Sequence, residues 1–283
     1  MSRQIQALER SYNTRLFRGE GRRLETTEAG EQLLTEARAI LARIDALDDV
    51  LGLAAREPRG MLSIGSTWAV AESLLPQVLV RFRDKYPKVF LRIVQDSTDR
   101  LADALVAREL DIAVLFHRPR QADLEFEPLM EIELGVITPF DVAPGVLKTA
   151  ASKGAITLAQ ALRLPLILPR KGQVVRGLID SLCTQQKVES NIVMESDSLP
   201  LFKQLVASGL GYTIHTLGGV HDEVTRSELR FIPIRSPAIP WRVYVATPKH
   251  HPASLAIKAI QQELADSVHS EVMNTRWKGR SLK

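Results

Sequence analysis

The first ten residues concentrate side chains that can contact a nucleic acid. Their pattern predicts a helix with Ile5 and Leu8 on its buried face and polar residues on its other faces. Arginine, glutamine and serine are the side chains that reach base edges and phosphates in the major groove of duplex DNA. The side chains available for such contacts are Ser2, Arg3, Gln4, Gln6 and Arg10.

A basic hairpin is predicted to follow this helix. The stretch RGEGRRLETT begins at Arg18, has two glycines between strand-like ends, and carries Arg22 and Arg23 near its tip. Cationic side chains on such a hairpin can contact backbone phosphates next to the groove that a neighbouring helix enters. We therefore add these three arginines to the predicted DNA-binding residues.

The charge of the chain is unevenly distributed. Residues 1–23 contain six arginines and two glutamates, a net charge of +4, and the last eight residues contain four basic side chains and no acid. The remaining span, 24–275, contains 27 basic and 31 acidic residues. A basic head on a mildly acidic body is typical of a polyanion-binding segment, although short arginine-rich ends are also often only solvated.

Ser66 and Thr67 end the first predicted strand of the chain's middle part and precede a helix. In open α/β sheets, ligands bind beyond the carboxyl ends of the strands, where helix N-termini favour anions. We therefore predict that both residues bind a small, anionic ligand. The alternative is that they only cap the helix.

Other strand ends provide further candidates for the same ligand cleft. Phe116 could equally belong to the core, and a serine such as Ser196 is a helix cap first and a ligand donor second. Glycine at position 211 allows close approach of the backbone. The further predicted effector-binding residues are Phe116, His117, Glu195, Ser196, Gly211 and Tyr212.

The common motifs of enzymes are absent from the sequence. It has no GxSxG, no GxGxxG after a strand and no GxxxxGK[ST], and the adjacent His250 and His251 cannot share a helix face as a zinc-binding HExxH pair does. The single cysteine, Cys183, has helical spacing with Ile179 and Leu182, which favours a buried structural thiol. We expect no catalytic residues, no metal and no cofactor, hence no enzyme activity.

The predicted DNA-binding segment is joined to a long helix over residues 27–58. Its apolar positions follow steps of four and three, a heptad seam that fits a second helix, whereas the alternative is one helix of a monomeric bundle. Thr26 or Thr27 can cap its start, and Pro58 and Gly60 stop it. The seam residues are Leu33, Ala37, Ile40, Ile44, Leu47, Leu51 and Ala54. We predict a homodimer or homotetramer held by this helix.

From Gly60 the pattern alternates strands and helices, which predicts an α/β fold with a parallel sheet covered by helices on both faces. The helix after the first strand has an apolar face at Leu75, Val78, Leu79 and Phe82. LEFEPLME and ELGVITP read as two strands. Strands near the C-terminus then return to the first unit, as expected of a two-lobed sensor with crossing strands.

The runs SRQIQALE and TRLFRGEGRRLETTEAGEQLL resemble the end of the recognition helix, the wing and the start of the linker helix of LysR-type transcriptional regulators. Beyond residue 60 the chain resembles their effector-binding domain, which is similar to periplasmic solute-binding proteins. The resemblance rests there on Pro76–Pro87, Asp111–Val114, Val206–Gly211 and His251–Ser254. It implies an α/β class chain with a partial winged helix-turn-helix, a long linker helix and a two-lobed periplasmic-binding-protein-like effector domain.

The resemblance also implies domain boundaries and a function. Residues 1–26 would be the C-terminal part of the winged helix-turn-helix, 27–58 the linker, 60–270 the effector-binding domain and 271–283 a basic tail. Within the effector domain, lobe I would cover 60–139 and 238–270, and lobe II 140–237. The expected function is a ligand-responsive transcriptional regulator that binds double-stranded DNA and a small, anionic effector of unknown identity.

The chain departs from the family pattern at two places, in its head and at His215 and Thr216. Met1 falls inside the recognition helix, so we expect a partly folded head in which Ile5, Leu8, Leu16 and Phe17 are largely uncovered. This partial head leaves open an alternative function, a small-molecule-binding sensor that has lost DNA binding. His215 and Thr216 stand where Leu-Pro is common in the family, and this second departure concerns the ligand and not the fold.

The sequence also limits the compartment in which the protein works. No apolar run approaches the roughly 18 residues that a membrane helix needs, and the first residues have no apolar signal-peptide core. A single cysteine cannot form an internal disulfide, which suits a reducing environment. We expect a cytoplasmic protein without a membrane partner.

Overall fold

The computed structural model describes residues 3–19, 25–34, 36–37, 40, 57–141, 145–249, 253–273, 277 and 279–282. The helices are α1 (Arg3–Tyr12), α2 (described over 28–34, 36–37 and 40), α3 (Trp68–Ser73), α4 (Leu75–Lys85), α5 (Thr98–Val106), α6 (Val146–Lys153), α7 (Leu158–Leu162), α8 (Val174–Gln186), α9 (Leu199–Ala207), α10 (His221–Thr225) and α11 (Leu255–Met273), with a 3-10 turn at Gly218–Val220. The strands are β1 (Phe17–Arg18), β2 (Glu25–Thr26), β3 (Gly60–Ser66), β4 (Val89–Gln95), β5 (Ile112–Phe116), β6 (Leu124–Pro139), β7 (Pro165–Leu168), β8 (Asn191–Glu195), β9 (Thr213–Thr216), β10 (Leu229–Pro233), β11 (Pro240–Pro248) and β12 (Gly279–Ser281).

The N-terminal hairpin is joined to the start of α2 through Thr27. β1 and β2 pair antiparallel, with Phe17 opposite Thr26, as the sequence predicts. The Thr27 hydroxyl donates to the Arg15 carbonyl at 2.6 Å and accepts the amide N–H of Gly30 at 3.1 Å, so Thr27 caps α2. Of the heptad seam, Ile44, Leu47, Leu51 and Ala54 lie outside the described residues, and the exposed Ile40 is its last described member.

The expected exposure of the apolar N-terminal residues is met only in part. α1 has no buried residue, so Ile5 and Leu8 do not form a buried face and are uncovered as expected of a partial head. Leu16, by contrast, is buried at 5% exposure, although we expected it to be uncovered. The reason is local, because the Thr27 amide bonds to the Leu16 carbonyl at 2.9 Å and the Glu9 carboxylate accepts the Leu16 amide at 2.8 Å.

The main sheet is mixed, which corrects the prediction of a parallel sheet. Its eight strands include the order β10-β6-β11-β5-β3-β4, with β9 and β12 also paired to β6. β3 is parallel to β4 and β5, whereas β11 runs antiparallel to both β5 and β6. β11, the strand that returns to the first lobe, therefore lies between β5 and β6 and pairs antiparallel with both.

β6 is one strand of 16 residues where we predicted two. Glu131 and Glu133 suggested a break, but Ile132 between them is buried at 2% exposure, so the alternation of a single strand continues through this point. The first half of β6 pairs with β11, and its second half pairs with β10 and β9. This strand therefore runs through both lobes, and β7 and β8 form a small parallel sheet in the second lobe.

The predicted helix after β3 is divided into α3 and α4 at Leu74. Pro76 lies in the first turn of α4, where a missing backbone N–H leaves no internal hydrogen bond unmade. Leu75, Val78 and Phe82 are buried as predicted, and α4 packs against α11. The break gives α3 an axis of its own beside the carboxyl end of β3.

The C-terminal residues that we described as a basic tail take part in the sheet. β12 pairs with β6, and Arg280 forms an ion pair with Glu131 at 3.0 Å. Trp277 is 1% exposed and packs against Gly218, whose added Cβ would lie 2.4 Å from the indole ring. In the described part of the chain, no helix has the length and apolar character required to cross a membrane.

Candidate functional site

A cavity of about 390 Å³ lies where the strand ends of the two lobes face each other. One side is formed by the residues after β3, β4 and β5, and the other by the loops after β7 and β8 and by β9. This volume suits a small metabolite. The site thus combines segments that are far apart in the sequence.

Three helices begin at the cavity with N-termini that their own side chains leave uncapped. Thr67, Ser97 and Gln173 are the N-cap residues of α3, α5 and α8, and none makes a side-chain capping hydrogen bond. Each lines the cavity. Uncapped first-turn amides and the positive end of the helix dipole favour an anion.

Thr67 is the polar residue of the cavity that most strongly indicates a ligand contact. It is 7% exposed, and its hydroxyl oxygen has no hydrogen-bond partner in the part of the chain that the structure describes. A buried hydroxyl without a partner costs about 1–3 kcal/mol, so such groups usually have a role. Its neighbour Ser66 does not line the cavity, because its hydroxyl turns away and donates to the Thr67 carbonyl at 3.2 Å.

One wall of the cavity is apolar and aromatic. Phe116 and Trp241 pack together with ring centroids 5.9 Å apart, and both are nearly buried. The sequence left open whether Phe116 is a core residue or faces the ligand cleft. In the structure it does both, since it belongs to the core and also lines the cavity. Phe202 and Ile214 extend this wall from the second lobe. The wall can hold the apolar or cyclic body of a ligand.

His215 lies in β9 at the cavity and is half-buried. Burial lowers the pKa of its imidazole to about 4, helped by the nearby Lys203 ammonium, so the ring is neutral at pH 7. Its Nδ1 lies 3.5 Å from the Thr216 carbonyl and 3.4 Å from the Thr216 hydroxyl. The cavity therefore contains an uncharged imidazole.

Asp197 connects the two lobes at the cavity. The indole N–H of Trp68 in the first lobe donates to the Asp197 carbonyl at 3.1 Å. The Asp197 carboxylate accepts from the Arg170 side chain at 2.5 Å and from the Arg170 amide at 3.1 Å. A displacement of the lobes would break the first of these contacts.

A second connection between the lobes lies behind the cavity. Lys203 on α9 contacts Glu72 on α3 at 2.8 Å and Glu223 on α10 at 3.3 Å. The side chains of Lys203 and Glu223 are only 17% and 16% exposed, and Glu223 Oε2 is buried without a hydrogen bond among the described residues. This pair is less screened than a surface ion pair, so it can affect lobe closure.

Five of the other predicted effector-binding residues do not line this cavity. Glu195 is bound by Arg176 at 2.5 Å, and the Ser196 hydroxyl accepts the Ser198 amide at 3.2 Å. Gly211 and Tyr212 join β7, because a Cβ at Gly211 would lie 2.9 Å from Ile167 and the Tyr212 amide bonds to Pro165 at 2.9 Å. His117 lines a separate groove. Of the eight predicted effector-binding residues, the structure therefore places Thr67 and Phe116 at the cavity and the other six outside its lining.

Most of the side chains that line the cavity could not be identified from the sequence. Trp68, Arg170 and Trp241 carried no motif, and they meet Asp197 and His215 only in the folded chain. His215 did carry one signal, because it interrupts the Leu-Pro pattern of the family that the sequence resembles. That departure marks a position inside the cavity.

The predicted DNA-binding side chains that the structure describes are all exposed. Arg3, Gln4, Gln6 and Arg10 lie on α1, and Arg18 on the hairpin is paired with Glu25 at 3.3 Å. Ser2, Arg22 and Arg23 lie outside the described residues. The exposed arginine and glutamine side chains allow α1 to present both positive charge and hydrogen-bonding groups to a partner.

Comparisons with known proteins agree with this architecture. The LysR substrate binding domain family matches residues 55–268. The HTH-type transcriptional regulator BbuR of Bordetella bronchiseptica is 28% identical over 229 residues, which is 81% of this chain and 69% of that protein.

Two solved structures share the fold. Full-length OxyR from Pseudomonas aeruginosa has a TM-score of 0.70 and 22% identity, and the match covers 93% of this chain and 85% of that one. The CcmR regulatory domain of Synechocystis in complex with 2-PG has a TM-score of 0.66 and 23% identity, over 74% of this chain and 98% of that one. With its two lobes, its mixed sheet and the family match over most of its length, the chain belongs to the LysR family of transcriptional regulators, which are not enzymes.

Proposed function

We propose that this regulator responds to a small anionic metabolite that binds in the cavity between its lobes. The observation that carries the proposal is the buried, unpartnered hydroxyl of Thr67 at the cavity surface. A ligand that accepts or donates a hydrogen bond there would remove the energetic penalty of that hydroxyl. Ligand binding would then stabilise the closed arrangement of the lobes, a shift between two populations.

An anion is favoured over a cation by the groups at the cavity. The uncapped first turns of α5 and α8 present amide N–H groups and the positive ends of their dipoles. Arg100 also lines the cavity and its pair with Asp96 is loose, at 4.0 Å, whereas Arg170 is already bound by Asp197. That the similarly folded CcmR domain is in complex with 2-PG agrees with a small ligand in this fold.

The test is a thermal-shift screen of small carboxylates, with 2-PG included, followed by calorimetry of the compounds that stabilise the protein. We expect Thr67→Val to weaken binding by about 10-fold, because one hydrogen bond is lost. Thr67→Ser should restore it, and Thr184→Val, an isosteric change on the exposed face of α8, serves as the matched control. Unchanged affinity in Thr67→Val would exclude Thr67 as a ligand contact.

We further propose that the regulator binds double-stranded DNA in the cytoplasm as a homodimer or homotetramer joined through the helix predicted over 27–58. Supporting this are the exposed arginine and glutamine side chains on α1 and the basic hairpin beside it. The domain boundaries predicted from the sequence are part of the same proposal. A gel-shift assay on palindromic sites tests DNA binding, and its absence at low salt would favour a sensor without DNA activity.

Two variants separate base contacts from phosphate contacts. Arg3→Ala should weaken binding by about 1–3 kcal/mol and relax specificity if it contacts a base. Arg22→Ala should weaken binding equally on all sequences and lower the salt dependence. If Arg22→Ala binds like the parent protein across a salt series, the wing is not a phosphate contact.

A further inference from the structure

We propose that His215 and Thr67 together select a ligand that carries a hydroxyl group, so that the effector is a hydroxycarboxylate. The inference rests on the proposed function, because it concerns the same cavity. It goes further by assigning a hydroxyl group and a carboxylate of the ligand to different residues of the cavity. His215 is the specificity-determining residue, and its place in β9 is one where the family pattern has no histidine.

The two groups offer complementary hydrogen bonds. The Thr67 hydroxyl can both donate and accept, and it has no partner among the described residues. The Nδ1 edge of His215 faces Thr216, at 3.5 Å from its carbonyl and 3.4 Å from its hydroxyl, which leaves Nε2 as the nitrogen for a ligand. Neutral Nε2 is an acceptor if Nδ1 donates to the Thr216 carbonyl and a donor if Nδ1 accepts from the Thr216 hydroxyl, and a ligand hydroxyl can pair with it in either form because a hydroxyl both donates and accepts.

The imidazole is held in a fixed position. A Cβ added at Gly219 would lie 2.6 Å from His215 Cε1, so the ring packs directly on the Gly218–Val220 turn, and only glycine permits this approach. The Gly219 amide donates to the Thr216 hydroxyl at 3.4 Å, which ties the turn to the strand beside the ring. A preorganised partner loses little freedom when it binds, which increases discrimination between ligands.

The charge at this end of the cavity favours a hydroxyl over a second anionic group. Burial keeps the imidazole neutral, because it lowers the pKa of His215 to about 4. The nearby ammonium of Lys203 is already paired with Glu72 and Glu223, so it is not available to balance a ligand charge. A carboxylate here would lose its hydration without gaining a counter-ion.

The carboxylate of the ligand is therefore assigned to the N-termini of α5 and α8 at the same cavity. The start of α5 lies beside Thr67, because the Asp96 amide donates to the Ser66 carbonyl at 3.3 Å, so a carboxylate there can be joined to a neighbouring hydroxyl group. Phe116 and Trp241 form an apolar wall of the same cavity, with their rings tilted by 42° to each other. The combination fits a compact hydroxycarboxylate with an apolar or cyclic body. A dicarboxylate with its charges at both ends fits poorly.

The test uses matched pairs of probes that differ by one hydroxyl: 3-phenyllactate and 3-phenylpropanoate, mandelate and phenylacetate, lactate and propionate. Calorimetry on the full chain should show that the hydroxylated member of at least one pair binds about 10-fold tighter or more. His215→Leu should abolish this preference by weakening only the hydroxylated member. A structural role of His215 would weaken both members of a pair equally. His269→Leu, on the exposed face of α11, is the matched control.

The outcomes separate this inference from the function on which it rests. Equal affinity for both members of every pair, or an unchanged preference in His215→Leu, overturns the hydroxyl assignment and leaves the carboxylate sensor intact. Tighter binding of the unhydroxylated members overturns it as well. Failure of every carboxylate, including 2-PG, to bind overturns the proposed function together with this inference.

Discussion

The hydroxyl of Thr67 lowers the stability of the unliganded protein, because it is buried and lacks a hydrogen bond in the described chain. Thr67→Val removes the hydroxyl and keeps the shape of the side chain, so we expect the free energy of unfolding to rise by about 1 kcal/mol without ligand. Chemical denaturation measures this change. Thr184→Val, where the lost hydroxyl is exposed, should not stabilise the protein, and a destabilised Thr67→Val would mean that the hydroxyl has a partner.

His215 makes stability depend on pH. Its folded pKa of about 4 lies below the ordinary value of 6.5, so the unfolded chain binds more protons between these two values. Stability should therefore be lost as the pH falls from about 6.5 to 4, by up to about 3 kcal/mol. We expect His215→Gln to lose less stability than the parent over this window when both are followed by thermal unfolding. Identical pH profiles would show that His215 is not buried in its neutral form.

At the scale of elements, Gly30 joins the hairpin to α2. A Cβ at this position would lie 2.1 Å from the Leu16 carbonyl oxygen, which also accepts the Thr27 amide. Gly30→Ala should therefore separate the hairpin from the helix, and amide hydrogen exchange in residues 15–18 should become faster. Gly177→Ala in α8 is the control, because its added Cβ meets open space, and it should stabilise by about 0.5–1 kcal/mol. Unchanged exchange in Gly30→Ala would contradict the close packing.

Local patterns predicted the elements better than the connections between them. The apolar face of α4 at Leu75, Val78 and Phe82 follows from helical periodicity alone, and the structure buries all three. Glu131 and Glu133 misled the prediction for β6, because two acids beside one buried isoleucine look like a turn unless the strand partners are known. The direction of β11 was missed for a similar reason, since strand pairing is set by distant residues.

Only the cavity residues that stand at strand ends could be predicted from the sequence, because a general rule places ligands there. Thr67 and Phe116 stand at strand ends, and the general position of ligands in α/β sheets identifies them. Trp68 and Asp197 are 129 residues apart, and nothing in either neighbourhood indicates that they will meet. Glu195 stands at a strand end as well, but Arg176 neutralises it, a contact that spacing alone does not reveal.

At the scale of the whole molecule, the Lys203 contacts hold the lobes together. Lys203→Met would leave Glu72 and the largely buried Glu223 without their shared cation. We expect a loss of about 1–3 kcal/mol in stability and, by small-angle scattering, a larger radius of gyration in the absence of ligand. The exposed Lys153→Met on α6 is the matched control. An unchanged radius together with unchanged stability would mean that this ion pair does not restrain the lobes.

The chain contains three tryptophans, and their positions allow a direct test of where the effector binds. Trp68 and Trp241 line the cavity, whereas Trp277 is buried against Gly218. The decisive measurement is a fluorescence titration with a carboxylate that stabilises the protein, on the parent and on the double variant Trp68→Phe/Trp241→Phe. A ligand in the cavity changes the emission of the parent and leaves the Trp277 emission of the double variant unchanged. An equal change in both proteins would contradict binding between the lobes.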